Sequence, residues 1–277
     1  MNMLVATSRG GGLDSRTKKG IKMMGFVYPG ATLLKLNEAM CGNVPQDERG
    51  WIPPDTIFPP PHIAQTLDIH TYILAGTNDI TTLTRNKKQH YKECIYTENK
   101  DDTIAHIIRD MAICEATIRR NHATPIFCTI TPMNITKYNH SLLQSNATHT
   151  LKHEHEYDNW QTQIDTIIED INTHIIATNK RNKVSTPMLH RCLEKHHGNL
   201  KRGYTTLAWY LLRDGLHGDH KIKNDWAKSI SAAIKLNREP PRLPEPEKTA
   251  EVSSSSDDEP RSPKRSWKSE RRPTPRP

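Results

Sequence analysis

Apolar residues along the chain fall into short runs, separated by longer stretches where they recur every three or four positions. The runs are Met3–Thr7, Met23–Tyr28, His70–Ala75 and Pro125–Ile130, with a weaker fifth at Val184–Leu189. Several are closed by glycine or proline, as strands bounded by turns are. Between them, Ile104, Ile107, Ile108, Met111, Cys114 and Ile118 keep helical spacing, with Asp101-Asp102 as the predicted N-cap. Trp160, Ile164, Ile167, Ile168, Ile171 and Ile175 predict a second helix, and Ile222, Trp226, Ile230 and Ile234 a terminal one. Apolar strands alternating with helices imply an α/β fold, with a mostly parallel sheet covered on both faces.

Two stretches break the alternation. Asn43–Leu67 carries Pro45, Pro53, Pro54 and Pro59–Pro61, and it reads as a long surface loop without regular structure. From residue 239 onward Pro, Glu, Arg and Ser dominate, and nine of the 19 prolines lie between Pro240 and Pro277. Such a segment buries too little surface to offset its ordering entropy. The expected organisation is therefore a folded domain over 1–238 and a disordered basic tail over 239–277.

Charge sharpens that division. The chain of 277 residues has a formal net charge of +8. Arg261, Lys264, Arg265, Lys268, Arg271, Arg272 and Arg276, against Glu270 alone, place +6 of it in the last 17 residues. A nucleic-acid or acidic protein partner is thus an expectation for the tail, not for the domain. Ser253–Ser256, followed by Asp257-Asp258-Glu259, and the Ser262-Pro263 and Thr274-Pro275 pairs are candidate phosphorylation sites.

Other features exclude function classes. No run approaches the roughly 18 apolar residues of a membrane span, and the first dozen residues lack a signal-peptide core. Five scattered cysteines (Cys41, Cys94, Cys114, Cys128, Cys192) fit free thiols of a reducing compartment. The expectation is an intracellular chain, cytoplasmic or nuclear. The glycosylation patterns at Asn134, Asn139 and Asn146 are then expected to stay unmodified. His149, His153 and His155, with Glu154 and Glu156, lack matched metal-ligand spacing and read as a solvated segment. His196, His197 and His220 read as polar surface. No cofactor or metal is expected.

Ligands of open parallel sheets bind beyond the carboxyl ends of the strands. Four short blocks occupy such places or flank the last helix: Ser8 in Ser8-Arg9-Gly10-Gly11-Gly12, Gly30 in Pro29-Gly30-Ala31-Thr32, Asn78 in Gly76-Thr77-Asn78-Asp79, and His217 in Asp214-Gly215-Leu216-His217. In this order they resemble the SGNH (GDSL-type) hydrolases over about residues 3–236. The first block departs from the family's Gly-Asp-Ser, reading Ala6-Thr7-Ser8. Ser15, beside Asp14, is a less suitable nucleophile because it is expected inside the following helix, and Arg9 is expected to face solvent.

The resemblance implies a three-layer, flavodoxin-like α/β/α sandwich with a five-stranded, mostly parallel sheet. It also implies a metal-independent esterase or acyl-hydrolase acting on a small ester or acylated substrate. A serine hydroxyl needs a base to take its proton, and His217 suits that role. Asp214, three residues earlier, would fix its tautomer. Ser8, Gly30 and Asn78 would form the oxyanion hole. The alternative is a catalytically inactive SGNH-fold binding module of a mobile-element or viral protein, with its tail on nucleic acid or an acidic partner.

Overall fold

The computed structural model describes residues 1–42, 57–96, 98–144, 150–197 and 204–238. The tail expected over 239–277, with its basic and phosphorylatable residues, lies outside the described residues, as do 43–56 of the proline-rich stretch. In chain order the elements are β1 (Asn2–Ala6), β2 (Met24–Val27), α1 (Leu33–Met40), α2 (Pro61–Ala64), β3 (Ile69–Leu74), α3 (Thr77–Ile80), β4 (Thr82–Asn86), β5 (Tyr91–Ile95), α4 (Lys100–Arg120), β6 (Ala123–Phe127), α5 (Ile135–Gln144), α6 (Tyr157–Arg181), β7 (Glu194–His197), β8 (Tyr204–Leu207) and α7 (His220–Arg238).

β1, β2, β3 and β6 form one sheet in the order β2-β1-β3-β6, and every pair is parallel. Successive side chains of a strand face opposite sides. Met3 and Val5 accordingly enter the core shared with α1, α4 and α6, while Leu4 and Ala6 enter the one shared with α7. The fold is a three-layer α/β/α arrangement.

The fifth run, Val184–Leu189, is not a strand. It passes the end of β6, where Thr129 N–H reaches Pro187 O at 3.1 Å. Pro187 has no N–H to return, Ser185 N–H is taken by Asn237 Oδ1 and Val184 N–H by Asn179 O. The sheet among the described residues therefore has four strands. Two antiparallel hairpins, β4–β5 and β7–β8, lie outside it.

The proline-rich stretch also departs from expectation. Ile57 and Phe58 are buried, and Pro61 opens the single turn of α2, where a missing N–H costs nothing. α4 starts earlier than predicted. Asn99 is its cap, accepting from Asp101 N at 2.8 Å, while Asp101 and Asp102 lie in its first turn and complement the helix dipole.

Three buried asparagines substitute for strand partners. Asn172 and Asn179 of α6 each donate to and accept from one backbone residue, Ile130 and Phe127 respectively. Asn139 of α5 does the same with Cys94. Both amide groups of each side chain are thus satisfied in the interior. Asn139 has no exposed surface to carry a glycan.

Candidate active site

Three loops at the carboxyl ends of the strands and one before α7 build the site. β1 ends at Ala6, and Ser8 opens a single 3-10 turn spanning Ser8–Gly10. Thr7 holds this turn through its backbone: its N–H reaches Leu74 O and its carbonyl accepts from Gly10 N. The first N–H groups of a helical turn have no acceptor within it. The turn thus presents the Ser8 hydroxyl and backbone N–H together.

The block before α7 closes on itself. Asp214 Oδ1 accepts the backbone N–H of Leu216 at 3.0 Å and of His217 at 2.6 Å. Asp214 Oδ2 lies 2.7 Å from His217 Nδ1. That contact puts the imidazole proton on Nδ1 and leaves Nε2 as an acceptor. Nε2 stands 3.0 Å from Ser8 Oγ. Ser8, His217 and Asp214, spread over more than two hundred residues of sequence, are joined in one hydrogen-bonded chain. Burial pushes the Asp214 carboxyl up, but the hydrogen bonds from His217 and Leu216 outweigh it and hold Asp214 well below the usual carboxylate range.

Gly215 makes this closed loop possible. Its φ is +88°, and an added Cβ would stand 2.5 Å from Asn134 O and 2.7 Å from Tyr138 N. Asn134 N–H donates to Gly215 O at 2.8 Å, and Lys137 Nζ donates to the carbonyls of Trp209 and Leu212. The Tyr138 ring meets His217 edge-on, with centroids 6.4 Å apart. The start of α5 thus holds the histidine loop from behind.

The other two loops bind each other. Asn78 Nδ2 donates to Ala31 O at 2.8 Å, which leaves its second amide hydrogen unused by that bond. Asp79 Oδ1 accepts Leu33 N–H at 2.9 Å. Burial lifts the Asp79 carboxyl to about 6, partly offset by the Leu33 hydrogen bond. Gly30 is exposed at φ +76°, and no atom of the described residues lies within 4 Å of an added Cβ. Its backbone angle, rather than crowding, is what calls for glycine there.

Two sequence expectations are corrected. Arg9 does not face solvent: it is 2% exposed and its guanidinium donates to Thr131 O at 2.6 Å, to Thr131 Oγ1 and to Pro132 O. Burial pulls its pKa down to about 9, opposed chiefly by the Asp214 charge. Nor does Ser15 lie inside an α-helix. It sits on a second 3-10 turn, Asp14–Arg16, exposed and donating to Gly12 O.

Thr131 and the supporting face of α5 were not singled out in the sequence, and Arg9 was read there as surface. The Thr131-Pro132 break after the fourth run was their only local signal. His153 and His155 both approach Glu156, at 3.4 and 3.6 Å, and among the described residues no three metal-ligating side chains converge. Cavities of about 370 and 410 Å³ open beside Trp160 and His190, neither lined by Ser8, His217 or Asp214. No helix among the described residues is long and apolar enough to cross a membrane.

No family model and no curated protein matches the chain. Solved structures do. A GDSL-like lipase from Bacteroides thetaiotaomicron VPI-5482 aligns at 16% identity and TM-score 0.45, covering 84% of this chain and 85% of its own. A candidate acylhydrolase from Bacteroides fragilis NCTC 9343 aligns at 15% identity and TM-score 0.45, covering 84% of both chains. A candidate lipolytic protein of the G-D-S-L family from Desulfitobacterium hafniense DCB-2 aligns at 10% identity and TM-score 0.47, covering 84% of this chain and 98% of its own.

Proposed function

We propose that the chain is a metal-independent serine hydrolase of the SGNH type that cleaves carboxylic esters or removes acyl groups. The observation that carries this reading is the continuous order Ser8 Oγ, His217 Nε2, His217 Nδ1, Asp214 Oδ2, at 3.0 and 2.7 Å across its two hydrogen bonds. In it, His217 Nε2 takes the Ser8 proton as Oγ attacks the carbonyl carbon. Asp214 keeps the imidazole in the tautomer that can do so and stabilises the imidazolium.

The oxyanion of the tetrahedral intermediate is assigned to the N–H groups of Ser8 and Gly30 and to the second hydrogen of Asn78 Nδ2. His217 then returns its proton to the leaving alcohol, the acyl group stays on Ser8, and water repeats the sequence to release the acid. The family's Gly-Asp before serine is absent. In this reading the backbone bonds of Thr7 and the buried Arg9 supply the rigidity of the nucleophile turn. Contact of the basic tail with nucleic acid or an acidic protein remains a separate proposal, supported by its sequence charge alone.

Labelling with a fluorophosphonate probe tests the hydrolase reading. Wild type should be labelled and should turn over short acyl esters, and Ser8→Ala should do neither. Absence of labelling and of turnover across a panel of acyl chain lengths would sink it.

A further inference from the structure

Three cations gather beside the turn that carries Ser8. Lys223 of α7 donates from Nζ to Gly11 O at 3.0 Å. Arg16 lies against Gly12, its Nε 3.9 Å from where a glycine Cβ would stand, and its Nη1 donates to Asn224 Oδ1 at 3.0 Å. Arg213, exposed, immediately precedes Asp214, and its N–H donates to His217 O. The result is a positive rim in which Lys223 and Arg16 border the nucleophile turn and Arg213, whose charge reaches Lys223, flanks the histidine loop.

Within the described residues no carboxylate pairs with that rim. Among the described residues none of the three forms an ion pair. Three of the four neighbouring acids are engaged elsewhere, and the fourth, Asp14, forms no ion pair among the described residues. Asp219 Oδ1 caps α7 through Ile222 N, Asp225 holds Lys228 at 2.8 Å, Asp214 faces His217, and Asp14 packs against Gly25. Arg16 Nε is buried and has no acceptor among the described residues. Partial burial, then Arg16 and Arg213, push the Lys223 pKa down, as expected of cations that repel each other with no carboxylate between them. Holding like charges together, two of them half-buried, costs free energy, and an anionic ligand would recover it.

We propose that Arg16, Lys223 and Arg213 form an anion-recognising rim that selects esters bearing a carboxylate or phosphate on the acyl or alcohol arm next to the reacting carbonyl. The proposal rests on the serine-hydrolase reading, and it assigns that site a substrate class.

Matched probes separate the two. para-Nitrophenyl butyrate is compared with para-nitrophenyl hemiglutarate, whose acyl arm ends in a carboxylate. Monobutyrin is compared with butyryl glycerol phosphate, whose alcohol arm carries the charge. In at least one pair the anionic ester should have the larger kcat/KM, by on the order of tenfold at low salt. Added salt should shrink that ratio. The ratio should fall toward one in the double variant Arg16→Gln/Lys223→Gln, and partway in Arg213→Gln, which alters an exposed side chain and spares the Gly11 contact.

Ser8-dependent turnover of the neutral esters with no preference in either pair would overturn the anionic rim and leave the hydrolase standing. So would a preference that both variants retain. If no ester shows Ser8-dependent turnover, the hydrolase reading and this proposal fall together. Charge-indifferent turnover, with binding of a fluorescent single-stranded oligonucleotide lost in the variants, would reassign the rim to nucleic acid and overturn the proposal.

Discussion

The carboxylate of Asp79 accepts the N–H of Leu33 at 2.9 Å, tying the loop after β3 to the first turn of α1. Its other oxygen, Oδ2, is buried and has no hydrogen-bond partner among the described residues. Burial is the largest cause of the rise of its pKa to about 6, from an ordinary 3.8, with the Asp110 charge adding to it and the Leu33 hydrogen bond opposing it. The folded chain therefore holds the Asp79 proton more tightly than the unfolded chain. The stabilisation is fully present below the unfolded pKa and is lost as pH rises through the folded one. Between about pH 4 and pH 7, wild type should lose about 1–3 kcal/mol relative to Asp79→Asn, which has no charge to bury. Urea titrations of both proteins across that range check it. Parallel pH profiles would count against a perturbed Asp79.

Asp214 has the opposite sign. Its folded pKa is depressed by the His217 and Leu216 hydrogen bonds, which more than offset burial, so its contribution is present above the unfolded carboxylate value and fades in acid. Asp214→Asn should keep an acceptor for the two backbone N–H groups. It would offer an N–H toward His217 Nδ1, forcing the ring proton to Nε2, where it blocks proton transfer from Ser8. Turnover should drop by about 10⁴ with little change in KM. The stability difference from wild type should narrow as pH falls below about 4. Steady-state kinetics at neutral pH and denaturation in acid measure the two effects separately.

The Asp214–His217 pair was legible through the resemblance carried by the four blocks, and its three-residue spacing lets both side chains meet in one tight turn. β1, β3, α4, α6 and α7 were legible because burial on one or both faces writes its period into the residues. Other features left no such trace. The run at Pro125–Ile130 overshoots β6 because Ile130 is paired by Asn172 of α6 rather than by a strand. The weaker fifth run fails as a strand because Asn237 and Asn179 take its donors. The β4–β5 hairpin depends on fully buried Glu93, which accepts from Tyr91, Tyr157 and the backbone of Lys152 and His153. A buried carboxylate and its distant donors have no periodicity to read. Arg9 was misjudged for the same reason: arginine usually marks surface, and its acceptors lie more than 120 residues away.

Arg9 invites its own test. Arg9→Met should remove a buried cation, leave the Thr131 and Pro132 carbonyls without their donor, and strip Asp214 of a favourable charge. A loss of about 2–4 kcal/mol is expected from leaving buried polar groups unpaired. Arg9→Lys should recover only part of it, because an ammonium cannot span both residues as the guanidinium fork does. Urea midpoints for the three proteins decide the matter. A Met variant as stable as wild type would mean that Arg9 is packing rather than polar support.

Gly30 and Gly215 both hold positive φ, at +76° and +88°, but in different surroundings. At Gly30 no atom of the described residues lies within 4 Å of an added Cβ, so alanine meets only the left-handed backbone penalty of about 1–2 kcal/mol. At Gly215 the same methyl would press on Asn134 O and Tyr138 N, both backbone atoms at the start of α5 that cannot swing aside. Relief requires moving the loop from Asp214 to His217 away from α5, which also moves His217 Nε2 relative to Ser8 Oγ. Gly215→Ala should therefore cost at least about 2 kcal/mol more than Gly30→Ala. It should also lower kcat by about 10²-fold or more even where the protein remains folded. Gly30→Ala should stay well folded, with whatever activity it loses traceable to the oxyanion donor at that position. Thermal denaturation and ester kinetics on the two variants test the contrast. Equal destabilisation by both would show that backbone strain, not the close approach of α5, governs the histidine loop.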